Sequence, residues 1–202
     1  NKGAMIVIAN PNAPTGIALE VSEIEKIIRA NPNNVVVIDE AYVDFGAQSC
    51  VRLTEKYDNL VVVQTFSKSR SMAGARLGFA IANEELIEDF NKIKYSTNPY
   101  NINRLTLKAG EAAIDDNAYY MENCERIIDT REKTSCELRK MGFDVIKSKA
   151  NFIFVRCAGI DGFELYTKLK QRGILVRHFS IPKINQYNRI TIGTPEQMEA
   201  FI

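Results

Sequence analysis

Four short apolar runs punctuate the first hundred residues: Met5–Ala9 (MIVIA), Val35–Ile38 (VVVI), Leu60–Val63 (LVVV) and Arg76–Ala82 (RLGFAIA). Each is near-continuous in β-branched or apolar residues, with no polar position facing water at every second residue. That pattern predicts strands buried on both faces of a sheet, as in α/β folds. Between the first two runs Ile24, Ile27 and Ile28 recur at helical spacing. Ser22 followed by Glu25 predicts a capping box at that helix's start, and Asn31-Pro32 predicts its end.

Beyond about Asn103 the rhythm changes. Leu105–Asp115 has a helical pattern, and Tyr119–Met141 is a long amphipathic helix closed by Gly142. Phe143–Ile146, Asn151–Val155, Leu175–Arg177 and Arg189–Ile192 predict strands, and Phe163–Arg172 a helix closed by Gly173. The chain ends on PEQMEAFI, which opens a further helix. The expected organisation is a mostly parallel sheet with flanking helices over residues 1–115, followed by a smaller α+β unit over 116–202.

Polar residues gather where the buried runs stop. Asn10 and Asn12 follow the first, Asp39 and Tyr42 the second, and Thr65, Ser67 and Lys68 the third. In open α/β sheets ligands bind beyond the carboxyl ends of the strands, so these groups are expected to converge. A partly desolvated lysine amine has a lowered pKa and can form a Schiff base with an aldehyde. Thr65 and Ser67 add hydroxyl donors, and Arg76, eight residues after Lys68, adds a bidentate fork for phosphate. Asp39 at a buried strand end needs a cationic partner, which a protonated ring nitrogen would supply. Tyr42 and Asn12 can hydrogen-bond an aromatic oxygen. Together they describe a receptor for a phosphorylated pyridinium aldehyde, pyridoxal 5'-phosphate.

Taken singly, each group has an ordinary reading: Lys68 a solvated charge, Asp39 a turn or helix cap, the Asn10–Gly16 loop a rigid turn, Arg76 a surface charge. Their occurrence in order, each beside a buried strand end, points to chemistry.

Composition narrows the alternatives. With 46% hydrophobic and 25% charged residues and a formal net charge of +1, the chain offers no field to attract nucleic acid or an acidic membrane. No apolar run is long enough to span a bilayer. The cysteines at 50, 124, 136 and 157 have no CxxC spacing, and His178 is the one histidine, so no metal site is expected. The thiols suit a reduced, cytoplasmic protein. His178 is expected to be structural or substrate-lining, and Tyr119-Tyr120 to be helix packing.

Four motifs carry a resemblance through nearly the whole chain: NPNAPTG (Asn10–Gly16), DEAYVDF (Asp39–Phe45), TFSKSRSMAGARLGF (Thr65–Phe79) and RITIGTPEQ (Arg189–Gln197). In this order they resemble the fold type I, pyridoxal-phosphate-dependent aminotransferases. DEAYVDF, Pro99–Asn103 and RITIGTPE are most similar to the branch acting on histidinol phosphate. Aromatic aminotransferases and threonine-phosphate decarboxylases use similar motifs.

The resemblance implies that Lys68 holds the cofactor and moves the proton at the substrate α-carbon. It implies that Asp39 keeps the ring nitrogen protonated, that Tyr42 and Asn12 bond the ring oxygen, and that Thr65, Ser67 and Arg76 hold the phosphate. Arg189 would take the carboxylate of glutamate or the phosphate of histidinol phosphate, with Arg177 at the phosphate end. Many relatives have Asn directly before Pro-Thr-Gly, where this chain has Ala13. A cytoplasmic homodimer in histidine biosynthesis is implied. The opening NKGAMIVIA, without an initiator Met, suggests a piece of a longer protein. The family's upstream phosphate-binding glycine loop and ring-stacking aromatic are not in this sequence, so the chain alone is expected to be catalytically silent.

Overall fold

A computed structural model describes residues 3–202. Strands β1 (Ile6–Ala9), β2 (Val36–Asp39), β3 (Leu60–Thr65) and β4 (Gly78–Ile81) form one sheet in that order. The first three run parallel and β4 returns antiparallel. Helix α1 (Val21–Ala30) crosses between β1 and β2, whereas two short 3-10 turns, Val43–Phe45 and Val51–Glu55, connect β2 to β3.

One sheet face is sealed by α1. Ile24 and Ile28 pack against Val36, Ile38, Leu60 and Val62, with Ile6 and Ile8 at the margin. Full burial of each such side chain contributes about 1.5–3 kcal/mol, which fixes the register of all three parallel strands. The opposite face departs from expectation. Val61 at its centre is 1% exposed, but Val7 towards one edge is 59% exposed and Ala80 of β4 is also exposed, so this side is covered only in part. A buried-strand pattern reports the apolar character of both faces, but does not say which segment covers them.

The start of α1 is a second correction. Ser22 and Glu25 do not form its capping box. Glu20 is the last extended residue, and the Glu23 carboxylate accepts from its N–H at 2.9 Å. Glu25 instead accepts from Lys56 and Tyr57 at 2.6 and 2.7 Å.

Helix α2 (Glu84–Thr97) was not foreseen by the apolar pattern, because none of its residues is buried. Its N-cap Asn83 accepts from Leu86 N–H, which holds the first turn in place of a core-facing stripe. Helix α3 (Arg104–Asp115) follows, then the long α4 (Asn117–Lys140).

The second sheet is wholly antiparallel, in the order β5-β6-β8-β7: β5 (Phe143–Ile146), β6 (Phe152–Cys157), β7 (Arg177–His178) and β8 (Asn188–Thr191). Helices α5 (Gly162–Gln171) and α6 (Pro195–Phe201) complete this half. Its core joins Leu138 of α4 to Val145, Ile153, Val155, Ile190, Ile192 and Met198.

Two contacts fasten the halves together. Arg131, on the inward side of α4 and only 2% exposed, donates through one terminal nitrogen to the Phe45 and Ala150 carbonyls, both at 2.8 Å. Gly16, at φ +77°, presses its backbone against the turn before β6. Lys149 N–H donates to its carbonyl at 2.8 Å, and a Cβ on Gly16 would lie 2.2 Å from Ser148 Oγ.

Candidate active site

The carboxyl ends of the parallel strands are level. Ala9, Asp39 and Val63 are in register, and the ladder runs one residue further through Asn10 N–H to the Asp39 carbonyl and Glu40 N–H to the Val63 carbonyl, both 2.8 Å. Three loops leave from this rim, carrying the expected Asn12, Asp39, Tyr42, Thr65, Ser67 and Lys68.

The first loop separates its two asparagines by role. Asn10 is 2% exposed and its amide pairs with Leu19 both ways, accepting from N–H at 2.7 Å and donating to C=O at 3.1 Å. Both amide functions are therefore used to close the loop. Asn12 is half-buried and uses only its oxygen locally, accepting from Thr15 Oγ1 at 2.8 Å, which leaves its NH2 as the donor on this loop.

On the second loop Asp39 accepts from Ala41 N–H at 3.0 Å, an Asx turn that fixes the carboxylate's orientation. Its neighbour Glu40 is buried and accepts from Ser49 Oγ and Cys50 N at 2.6 Å and from Gln64 Nε2 at 2.8 Å. Three neutral donors satisfy this carboxylate and tie the β2 exit to β3, holding Asp39 and Tyr42 on either side. The motif pattern did not single out Glu40. Its signal was a second acid beside Asp39 at a buried strand end.

The third loop sets Lys68. Its Nζ lies 5.4 Å from the Tyr42 ring centroid, within cation–π range, and among the described residues it forms no ion pair. Ser69 donates to the Asp44 carboxylate, and Arg70 donates to the Ala113 carbonyl at 3.0 Å and Asn117 Oδ1 at 2.7 Å. The lysine is thus followed by two anchored residues. Thr65 Oγ1 lies 3.0 Å from Ser67 Oγ and accepts from Ser67 N–H at 3.1 Å, so the two hydroxyls are adjacent. Arg76 stands apart from them: it is exposed, sits at φ +55°, and donates to the Ala73 carbonyl at 3.1 Å. It is two residues from Gly78, which pairs with Thr65 across β3–β4.

The second half meets this rim through an aromatic. Tyr42 packs edge-on against Phe152 of β6, centroids 5.1 Å apart. The Arg189 guanidinium carbon lies 5.0 Å from the same Phe152 ring and 5.9 Å from Phe179. Arg177 pairs directly with Arg189 across β7–β8, and its guanidinium carbon lies 5.5 Å from the Phe179 ring centroid. Like charges directly opposite on antiparallel strands repel, which suits a shared anion. Phe152 and Phe179 were not singled out from the sequence, because an aromatic in or just beyond a strand carries no signal beyond packing. His178, on the alternate face of β7, stacks on Tyr166 at 5.9 Å and meets Phe163 at 5.5 Å, away from the two arginines.

Cysteine chemistry is disfavoured here. Burial, with the nearby Glu40 carboxylate, pushes the Cys50 thiol up to about 12. Burial, with Asp44, pushes Cys124 up to about 11. Among the described residues no group of three or more His, Cys, Asp or Glu side chains could hold a metal ion, and no helix is long and apolar enough to cross a membrane.

The donor set fits pyridoxal phosphate: an amine with no counter-ion among the described residues, a carboxylate fixed one strand away, a phenol beside the amine, and paired hydroxyls at the end of the strand that leads to it. Comparisons with known proteins agree with this chemistry. The whole chain, residues 1–202, matches the family described as aminotransferase class I and II. Histidinol-phosphate aminotransferase of Brachyspira hyodysenteriae is 55% identical over 203 residues, covering 100% of this chain and 57% of that protein. The crystal structure of histidinol-phosphate aminotransferase from Clostridium acetobutylicum superposes with a TM-score of 0.89 at 28% identity, over 98% of this chain and 61% of that one. The Sinorhizobium meliloti enzyme in complex with pyridoxal-5'-phosphate shares the fold, with a TM-score of 0.83 at 24% identity over 98% of this chain and 58% of that one. The chain spans a little more than half the length of the curated relative it matches.

Proposed function

The chain belongs to the class I and II aminotransferases, and from that premise we propose that the protein transfers an amino group between L-histidinol phosphate and 2-oxoglutarate by means of pyridoxal phosphate. The observation that carries the reading is the meeting of Asp39, Tyr42 and Lys68 at the level carboxyl ends of β2 and β3, with Lys68 Nζ 5.4 Å from the Tyr42 ring. Similarity to a histidinol-phosphate aminotransferase at 55% identity supports histidinol phosphate over an aromatic amino acid or threonine phosphate.

Pyridoxal phosphate, when bound, supplies an aldehyde that takes an amine covalently and a ring that stabilises negative charge at the substrate α-carbon. Lys68 would hold it through Nζ and, once released, carry the α-carbon proton. Asp39 would set its carboxylate against the ring nitrogen and keep that nitrogen protonated. The Tyr42 hydroxyl and the Asn12 amide would donate to the ring oxygen. Thr65 and Ser67, with Arg76 from the turn before β4, would bind the phosphate. Arg189 and Arg177 would take the substrate's carboxylate or phosphate, orienting its amine toward Lys68.

Residues 1–115 would form part of the cofactor-binding domain and 116–202 the smaller domain. The protein would work as a cytoplasmic homodimer. Exposed apolar side chains on α2 and α3, with Leu105 83% exposed, support a partner surface, and the thiols suit a reducing compartment.

The test is spectroscopic and kinetic. Full-length protein mixed with pyridoxal phosphate should develop a lysine-dependent visible absorbance band that Lys68→Ala abolishes. It should also turn over histidinol phosphate in preference to phenylalanine or threonine phosphate. The same band in Lys68→Ala would overturn the assignment of the lysine, and equal turnover of phenylalanine would overturn the substrate.

A further inference from the structure

Arg189 is unusual in how it is held. Its Nε is buried and, among the described residues, has no hydrogen-bond partner. Among the described residues its guanidinium takes part in no ion pair either. The other inward arginine, Arg131, is by contrast fixed by two backbone carbonyls and by Glu132. What Arg189 does have is the ring of Phe152 at 5.0 Å and that of Phe179 at 5.9 Å. A partly desolvated guanidinium over an aromatic ring is attracted by the ring's negative face, and the attraction grows as water is excluded.

Phe152 is well suited to this role. It is 2% exposed and its backbone carbonyl accepts from Ser148 Oγ at 2.6 Å, so strand and ring are both fixed. Its ring has two neighbours of different kinds. Arg189 lies within cation–π range, and Tyr42 approaches at 86° with a centroid separation of 5.1 Å. Tyr42 in turn lies 5.4 Å from Lys68 Nζ. Lys68, Tyr42, Phe152 and Arg189 thus form one unbroken series from the reacting amine to the anion-binding cation.

Resting on the proposed function, we infer that Phe152 is the positioning residue of the substrate-anion site. Its ring takes the place of a protein counter-ion for Arg189. It holds the guanidinium while leaving its N–H donors for the substrate, and its edge contact with Tyr42 sets the distance between that cation and Lys68. An acidic side chain would also hold Arg189, but would occupy the donors and cancel the charge that binds substrate. An aliphatic side chain would fill the volume without attracting the cation.

The test separates ring electrostatics from packing. In full-length protein loaded with pyridoxal phosphate, Phe152 is replaced by mono-, di- and trifluorinated phenylalanines, which drain the ring's face potential with little change of size. Binding of glutarate, a non-reacting dicarboxylate, is followed by calorimetry, with Val145→Ala as a core control. Glutarate affinity is expected to fall stepwise with fluorine number, reaching roughly 2- to 30-fold for the trifluoro ring, while the control is unchanged. Affinity independent of fluorination overturns the positioning role of Phe152. Arg189→Gln distinguishes the underlying reading: if it leaves glutarate affinity unchanged, the anion-anchor assignment falls and the inference with it. If Arg189→Gln weakens binding while the fluorinated series stays flat, the inference alone falls.

Discussion

Tyr42 meets Phe152 edge to face, with planes 86° apart, although 110 residues of chain separate them. The contact joins the loop after β2 to the first residue of β6, and so couples the two halves at the candidate active site. Tyr42 has two separable functions there, a ring that packs and a hydroxyl free to bond a ligand. Tyr42→Phe is expected to keep the melting temperature within about 2 °C of wild type while weakening pyridoxal phosphate binding about 3- to 10-fold, the loss of one net hydrogen bond. Tyr42→Ala should lose a further ~1 kcal/mol of stability with the aromatic pair. Thermal melts beside cofactor titrations check both.

Arg131 joins the halves elsewhere. Replacing it by Met keeps much of the side-chain volume but orphans the Phe45 and Ala150 carbonyls, both buried behind α4. A buried acceptor without a partner costs ~1–3 kcal/mol, so a loss of about 3 kcal/mol is expected in urea unfolding. Loss below about 1 kcal/mol would mean that water reaches those carbonyls.

Gly16 and Gly142 both adopt positive φ, +77° and +89°, yet face different surroundings. An Ala at 142 meets nothing within 4 Å, whereas at 16 its Cβ would lie 2.2 Å from Ser148 Oγ. Gly142→Ala should cost only the left-handed backbone term, ~1–2 kcal/mol. Gly16→Ala should cost at least about 2 kcal/mol more, because the Asn12 loop must lift from the second half. Equal losses in chemical denaturation would show that the loop yields freely.

The buried thiols set an alkaline limit. Both are shifted upward, so the folded state retains protons that the unfolded chain releases. Their stabilising contribution is whole below the ordinary thiol value of 9.0 and is lost as pH rises toward about 11 for Cys124 and about 12 for Cys50. Stability should therefore decline across that window, less so in Cys50→Ala. In native protein at pH 8 a thiol reagent should modify exposed Cys136 first and leave Cys50 and Cys124 untouched until unfolding. Rapid native modification of Cys50 would contradict its burial.

Asp161 gives the acid counterpart. Gln186, then the Glu164 and Phe163 N–H groups, hydrogen-bond its carboxylate and hold it below the ordinary value of 3.8. The depressed pKa contributes stability above that value, lost as pH falls through the folded one. Asp161→Ala should remove the α5 cap, lower stability at neutral pH, and flatten the acid limb of stability below pH 4.

What the sequence alone determined is local. The β-branched runs ended by Asn10, Asp39 and Thr65 marked three parallel strands, because a strand buried in a sheet must be apolar along its length and can turn polar only where it leaves. The same rule put Asn12, Tyr42 and Lys68 on one rim. The resemblance assigned the ring oxygen to Asn12, but the physical reason for separating it from Asn10 was not in the sequence. That depended on Leu19, whose backbone occupies the Asn10 amide. It also left α2 unseen, since a helix with no buried residue has no stripe to detect. Only the tertiary structure decided how the two halves face each other: Arg131 between two carbonyls, Gly16 against Ser148, and Phe152 between Tyr42 and Arg189. Such contacts depend on which side chains packing brings together over long sequence separations, and neither propensity nor periodicity encodes that partner choice. The reagents were legible because they sit at strand ends, whereas their distances were set by the packing of one half against the other.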